Sequence, residues 1–205
     1  MTLPNAQSVA SPMVAAEYTL VSPPGINLHD PQSVRDFRTQ VTLQAQGDPA
    51  IFDARTPQTA LALAFAAAYE VATQALMRLE DGRLVLLFDH ETRELMPSEE
   101  VDETVWAEIL KLKNKIVTAQ DVAMPIPELS IDLAAAWSRV KESNDIVVRT
   151  KLFLKALAPA LSPCATLRLR GDIPALALLA LLYLVRPSAY TVEYVDVSGN
   201  VTLFT

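Results

Sequence analysis

The sequence predicts an α+β protein of two related strand–helix–strand–helix–hairpin halves with a helical insert between them. Three observations predict it. Segments 50–88 and 165–204 run through the same order: a strand, a polar turn with proline, an apolar helix, then two strands around a turn. Both hairpins carry strong turn chemistry, Glu80-Asp81-Gly82 in one and Asp196-Val197-Ser198-Gly199-Asn200 in the other. Both helices are rich in Ala and Leu on more than one face, so each needs cover on two sides.

The elements follow in order. Residues 1–16 are small and polar with scattered prolines and predict a disordered arm. The first half spans 17–97. Glu17–Val21 reads as a strand, broken by Ser22-Pro23-Pro24-Gly25. Asp30-Pro31 is a helix start, with Val34, Phe37 and Val41 on one face and Gly47-Asp48-Pro49 as the stop. Ala50–Ala54 reads as a buried strand, and Thr56-Pro57 as a second helix start. Helix propensity alone would carry that helix to Leu79, but the Asp81-Gly82 turn favours a hairpin of Ala75–Leu79 and Arg83–Phe88.

Residues 98–163 read as the helical insert and the start of the second half. Helices are expected over 98–116, 129–142 and 146–158, with a short strand over 117–122. The second strand–helix–hairpin unit spans 164–205. Its strand is Ala165–Arg170, its helix follows Gly171-Asp172-Ile173-Pro174, and its hairpin runs from Tyr190 to Phe204. Ala60-Leu61-Ala62-Leu63 aligns with Ala175-Leu176-Ala177-Leu178, and Phe88 with Phe204, which predicts duplication of one unit. The apolar helices predict a pseudo-dimer within the chain or a homo-oligomer, since apolar burial contributes about 25 cal/mol per Å².

Composition narrows the function classes. Half of the residues are apolar and the net charge is −7, a balance that disfavours duplex-DNA binding through phosphate neutralisation. The single cysteine, Cys164, leaves no internal disulfide and fits a reducing, cytoplasmic setting. It reads as a small buried residue. The N-terminal stretch has no signal-peptide pattern, and the apolar run Pro174–Val185 is well short of the ~20 residues needed to span a bilayer. A membrane partner is therefore not expected.

Candidate chemistry sits in two places. In each half a polar turn joins a strand end to a helix N-terminus, where unpaired N–H groups favour anions. Arg55 and Thr56 lie in the first, and Arg168, Arg170, Gly171 and Asp172 in the second. The arginines could add charge-assisted bonds to phosphate, while Thr56 and Asp172 are equally placed to be ordinary helix caps. Around the first hairpin, Asp81, Asp89 and His90 could hold a divalent ion or act as acid and base. A turn aspartate and a solvated strand end would account for the same residues.

The strand at Tyr18-Thr19-Leu20, the segments AIFDARTPQTALALAFAAA and LEDGRLVLLFDH, and their looser counterparts in the second half resemble the small CRISPR-associated ring nucleases. That resemblance implies a ferredoxin-like sheet and phosphodiesterase cleavage of cyclic tetra-adenylate in antiviral defence, supported by Mn or Mg. Arg55-Thr56-Pro57 would match the family's turn, Asp81 its hairpin aspartate and His90 its terminal histidine. Arg170-Gly171, Pro174 and Asp196 match in the second half. The glycines of the family turn are missing from the first. The function expected is thus binding, with or without metal-assisted cleavage, of a cyclic oligonucleotide or similar phosphate ligand. The alternatives are a non-catalytic interaction and dimerisation module, or a regulatory domain of the anti-sigma type.

Overall fold

A computed structural model describes residues 19–20, 26–27, 30–89, 126–162, 164–186, 189–196 and 199–205. The expected arm at 1–16, the helix at 98–116 and the strand at 117–122 lie outside them.

The first half is β1 (Thr19–Leu20), α1 (Pro31–Ala45), β2 (Ala50–Asp53), α2 (Gln58–Ala68), β3 (Gln74–Arg78) and β4 (Leu84–Asp89). The second is β5 (Ile126–Asp132), α3 (Leu133–Ser138), α4 (Ile146–Leu157), a 3-10 turn at Ala158–Ala160, β6 (Cys164–Arg170), α5 (Ala175–Val185), β7 (Ala189–Asp196) and β8 (Gly199–Phe204). Each half builds a four-stranded sheet with its strands in chain order. Three strands are parallel and the last returns antiparallel, in both sheets.

Local chemistry explains the ends. Asp30 caps α1 by accepting from the N–H groups of Gln32 and Ser33, at 3.1 Å each. Asp132 caps α3 through the Ala135 N–H at 2.8 Å, and Asp145 caps α4 through Val147 at 2.7 Å. Gly82, at φ 87°, supplies the left-handed residue of the first hairpin.

Two expectations are corrected. The stretch read as a helix over 129–142 opens as strand β5 and turns helical only from Leu133. Pro127 lies inside β5, which is an edge strand, where a missing N–H is tolerated. Nor do the sheets have the connectivity that the ring-nuclease resemblance implies. A ferredoxin-like unit runs β-α-β-β-α-β. Here the order is β-α-β-α-β-β in the first half, and the second follows the same path.

The halves match closely, but in another register from the one that the Ala-Leu-Ala-Leu segments suggest. Gln58, not Ala60, falls on Ala175, because Pro57 and Pro174 precede the two helices and Tyr69 and Arg186 end them. The same shift carries Asp53↔Arg78 onto Arg170↔Val195, and the bulge after Ala75 onto the bulge after Val192. An Ala/Leu helix with no polar face carries no phase to align on.

The apolar helices cover each other. α2 packs on α5 and on β8, and α5 packs in turn on β4, an exchange that is close to two-fold. α1 flanks α2 and α4 flanks α5. Every residue of α2 after Gln58 is buried, as is every residue of α5 after Ala175. One hydrophobic cluster runs through both halves. Around the C-terminal ends of α2 and α5, Tyr183 stacks on Phe88 at 5.5 Å and Tyr69 meets Phe204 edge-on at 6.0 Å. Two contacts tie each half's flank to the other: Arg38 of α1 donates to the Leu203 carbonyl at 3.1 Å, and Arg83 reaches Asp145 at 3.3 Å. The apolar surface that predicted association is therefore satisfied within the chain.

Candidate functional site

The two polar turns come together. Gln58, the first residue of α2, donates through Nε2 to the carbonyl of Ile173, in the turn before α5. Its Oε1 lies 3.4 Å from the Ile173 N–H. At the other ends of the helices, Arg186 pairs with Glu70 at 3.1 Å. With both ends in contact this way, α2 and α5 run side by side in the same direction.

That arrangement pools charge. Each helix N-terminus carries roughly half a positive charge, so the pair presents about one elementary charge at one place. Neither α2 nor α5 has a side-chain cap, whereas the other three helices among the described residues are capped by aspartate. Thr56 and Asp172 are thus not the ordinary caps they could have been; the residues at the cap positions are Pro57 and Pro174. A proline there places no hydrogen-bonding side chain over the first turn.

The charged residues divide. In the first turn Arg55 lies back on Asp53, with Nη2–Oδ2 at 2.6 Å and Nε–Oδ1 at 2.9 Å. The Arg55 backbone N–H also donates to Asp53 Oδ1 at 2.9 Å. These bonds, the side-chain one foremost, hold the Asp53 carboxyl down to about 2. In the second turn the matching positions carry the opposite signs: Arg170 stands where Asp53 does, and Asp172 where Arg55 does. Arg170 and Asp172 are exposed. Gly171 takes φ 85°, and a Cβ there would come within 3.2 Å of Ala134 Cβ.

Arg168 is not part of this place. It lies on the outer face of the second sheet, between Glu128 and Glu193, at 2.8 Å from each. Sequence proximity to the turn was misleading because β6 continues to Arg170, so Arg168 sits two residues back inside the strand, where neighbouring strands set a glutamate on either side of it.

Of the carboxylate–histidine cluster expected at the first hairpin, the two carboxylates stand apart. Asp81 is at the hairpin tip, its carboxylate accepting from Arg83 Nε at 2.7 Å and from the Arg83 backbone N–H at 3.0 Å. Asp89 ends β4, and the six residues of that strand put roughly 17 Å between its two ends. Asp81 and Asp89 therefore cannot share one ion. His90 lies outside the described residues, among which no three His, Cys, Asp or Glu side chains gather as a metal site. Cys164 is buried, and burial pushes its thiol up.

Two residues missed in the sequence complete the junction. Tyr194 of β7 is fully buried, and its hydroxyl lies 2.8 Å from Gln58 Oε1, 3.1 Å from Asp172 Oδ1 and 3.4 Å from the Gly171 carbonyl. Gln58 was visible as a polar residue opening an otherwise apolar helix. Tyr194 carried no signal beyond its place in a strand. Among the described residues no helix is long and apolar enough to cross a membrane. No protein-family model, no curated protein and no solved structure matches this chain.

Proposed function

We propose that this chain is a duplicated, non-catalytic binding protein whose paired turns hold a small phosphodiester ligand of the cyclic-oligonucleotide type. The antiviral-defence setting comes from the resemblance to the CRISPR-associated ring nucleases. The observation that carries the reading is the meeting of two parallel, uncapped helix N-termini. A cyclic ligand with repeated phosphates suits a place built from two like halves.

The helix ends support the binding half of the ring-nuclease activity. Of the groups that the resemblance assigns to cleavage, Asp81 stands a strand's length from Asp89, and His90 lies outside the described residues. The alternative reading was an interaction module that dimerises through its apolar helices, and α2 and α5 pack on each other.

Titration with cyclic tetra-adenylate tests the proposal. At a concentration one hundredfold above Kd, a ligand specific to the folded state adds about 2.7 kcal/mol of stability. The melting midpoint of a chain this size should then rise by roughly 5–10 °C. No calorimetric binding at high micromolar ligand would refute the site. Loss of the ligand over time in Mn or Mg, abolished by chelation, would refute the non-catalytic part.

A further inference from the structure

We infer that the outer face of the first sheet is a docking surface, and that its occupant is the chain's own stretch 98–116, seated there through an apolar stripe. The inference does not depend on the ligand reading. Residues alternate across each strand. Ala50, Phe52, Ala75 and Met77 belong to the cluster that joins the halves, so Ile51 and Leu76 stand on the other face. Pairing sets Ile51 beside Leu76 and Leu76 beside Leu86, with Leu84 one step along. None of these four is part of that cluster.

The repeat supplies an internal control. In the register of the two halves, Ile51, Leu76, Leu86 and Leu84 stand where Arg168, Glu193, Thr202 and Asn200 do. The second sheet is polar at every one of these positions, so the fold does not require an apolar surface there. Contiguous apolar patches outside a core mark contact sites. Leu84 is 46% exposed, yet Ile51, on an interior strand, is 5% exposed, although the helices pack on the opposite face.

Size and connectivity choose the occupant. Strands about 4.8 Å apart with a rise of about 3.3 Å per residue give this face roughly 300 Å². That is well below the ~800 Å² per partner of a stable complex, so a second copy or a separate protein gains little there. One helix, about 10 Å across, fills it, and a tethered segment has a high effective concentration. Residues 90–125 leave β4, the edge strand of this sheet, and lead to β5. They lie outside the described residues. Their sequence sets Val101, Val105, Ile109, Leu112 and Ile116 at spacings of four, four, three and four, the stripe of one helix face, with Trp106 beside it. Acidic residues open the stretch and lysines close it, the order that a helix dipole favours. A helix over 98–116 would be about 28 Å long. The flanks 90–97 and 117–125 reach roughly 25–30 Å each when extended, enough to lay it across the sheet.

Methyl NMR on the full chain tests the inference. Nuclear Overhauser contacts are expected from the Ile51, Leu76 or Leu86 methyls to Ile109, Leu112 or the Trp106 indole, unchanged by dilution. Their absence would overturn the inference. So would contacts found only between a labelled and an unlabelled copy in a mixed sample, which would make the occupant a second chain. Stability gives a second readout. Ile51→Thr and Ile109→Ser should each lower the melting midpoint by roughly 4–8 °C. The double variant should fall by clearly less than the sum, because each change removes the other's partner. Arg168→Thr with Ile109→Ser, the matching pair on the polar sheet, should be additive. Additive shifts for the first pair, or equal coupling in the second, would count against the docking. If Ile109→Ser does not fold, the wild-type contacts decide alone.

Discussion

Replacing Tyr183 with alanine tests whether the two halves form one cooperative unit. The ring is 7% exposed and sits where the halves meet. It stacks on Phe88 with the planes 12° apart and lies 5.9 Å from Tyr69, and both of those rings belong to the first half. Removing a large buried ring costs about 3–5 kcal/mol once the unfilled cavity is included. Its aromatic neighbours place Tyr183 in the middle of that range, at about 4 kcal/mol. For a chain of this length each kcal/mol moves the midpoint by about 2–4 °C, so a fall of roughly 8–16 °C is expected. Phe65→Ala, inside the first half, should cost about as much, because Phe65 is fully buried in the same cluster. Differential scanning calorimetry and urea unfolding measure both variants. A single transition is expected for the wild type, since one hydrophobic cluster spans both halves. A cost below about 1 kcal/mol for Tyr183→Ala, or two resolved transitions in the wild type, would refute the reasoning.

Other substitutions separate structural from functional roles. Gly171→Ala should destabilise by at least 1–2 kcal/mol, roughly the penalty for a side chain in the left-handed region, with crowding against Ala134 added; urea unfolding reads it. Asp53 should contribute stability that is full above its unfolded value of 3.8 and is lost as pH falls through about 2. Comparing Asp53→Asn with the wild type between pH 2 and 5 should show the two curves converge toward the acid end, and parallel curves would exclude that role for the Arg55 pair. Arg168→Met should leave ligand affinity unchanged and barely move the melting midpoint, because the ion pairs it breaks are on a solvated face.

What the sequence disclosed depended on whether the local signal was specific. Asp30-Pro31 and Asp81-Gly82 encode backbone geometry directly, and the α1 cap and the first hairpin are where those residues put them. The all-apolar helices said correctly that they needed two covers, because no polar stripe was left to face water. They could not give the repeat register, since Ala and Leu alternate without phase; the prolines before the helices were the better anchors. β5 was misread because an edge strand with an exposed outer face and an internal proline shows neither a buried run nor strict alternation. The site was legible at the level of the two turns, which depend on short-range order. The separation of Asp81 from Asp89, the outward turn of Arg168 and the meeting of Gln58 with Tyr194 all depend on strand direction and on how the halves pack.

The parallel run of α2 and α5 has an electrostatic consequence that bears on the ligand. Two aligned helix dipoles side by side repel, most strongly at their ends. At the C-terminal ends a cation is already in place: Arg186 follows α5 directly and is shared with Glu70 and the face of Phe204, 4.8 Å from the ring centroid. At the N-terminal ends no capping carboxylate reaches the first turns. In the first turn Arg55 is paired with Asp53, and the second carries one residue of each sign, Arg170 and Asp172. The two helix ends add a positive contribution that is fixed in direction. A diester phosphate, with one charge and two free oxygens, fits such a field better than a metal ion does. It also needs no cluster of lysines, which a chain of net charge −7 does not offer. An anion at the junction would offset the repulsion between the two aligned helix dipoles, so the packing that buries α2 and α5 would itself favour the proposed ligand.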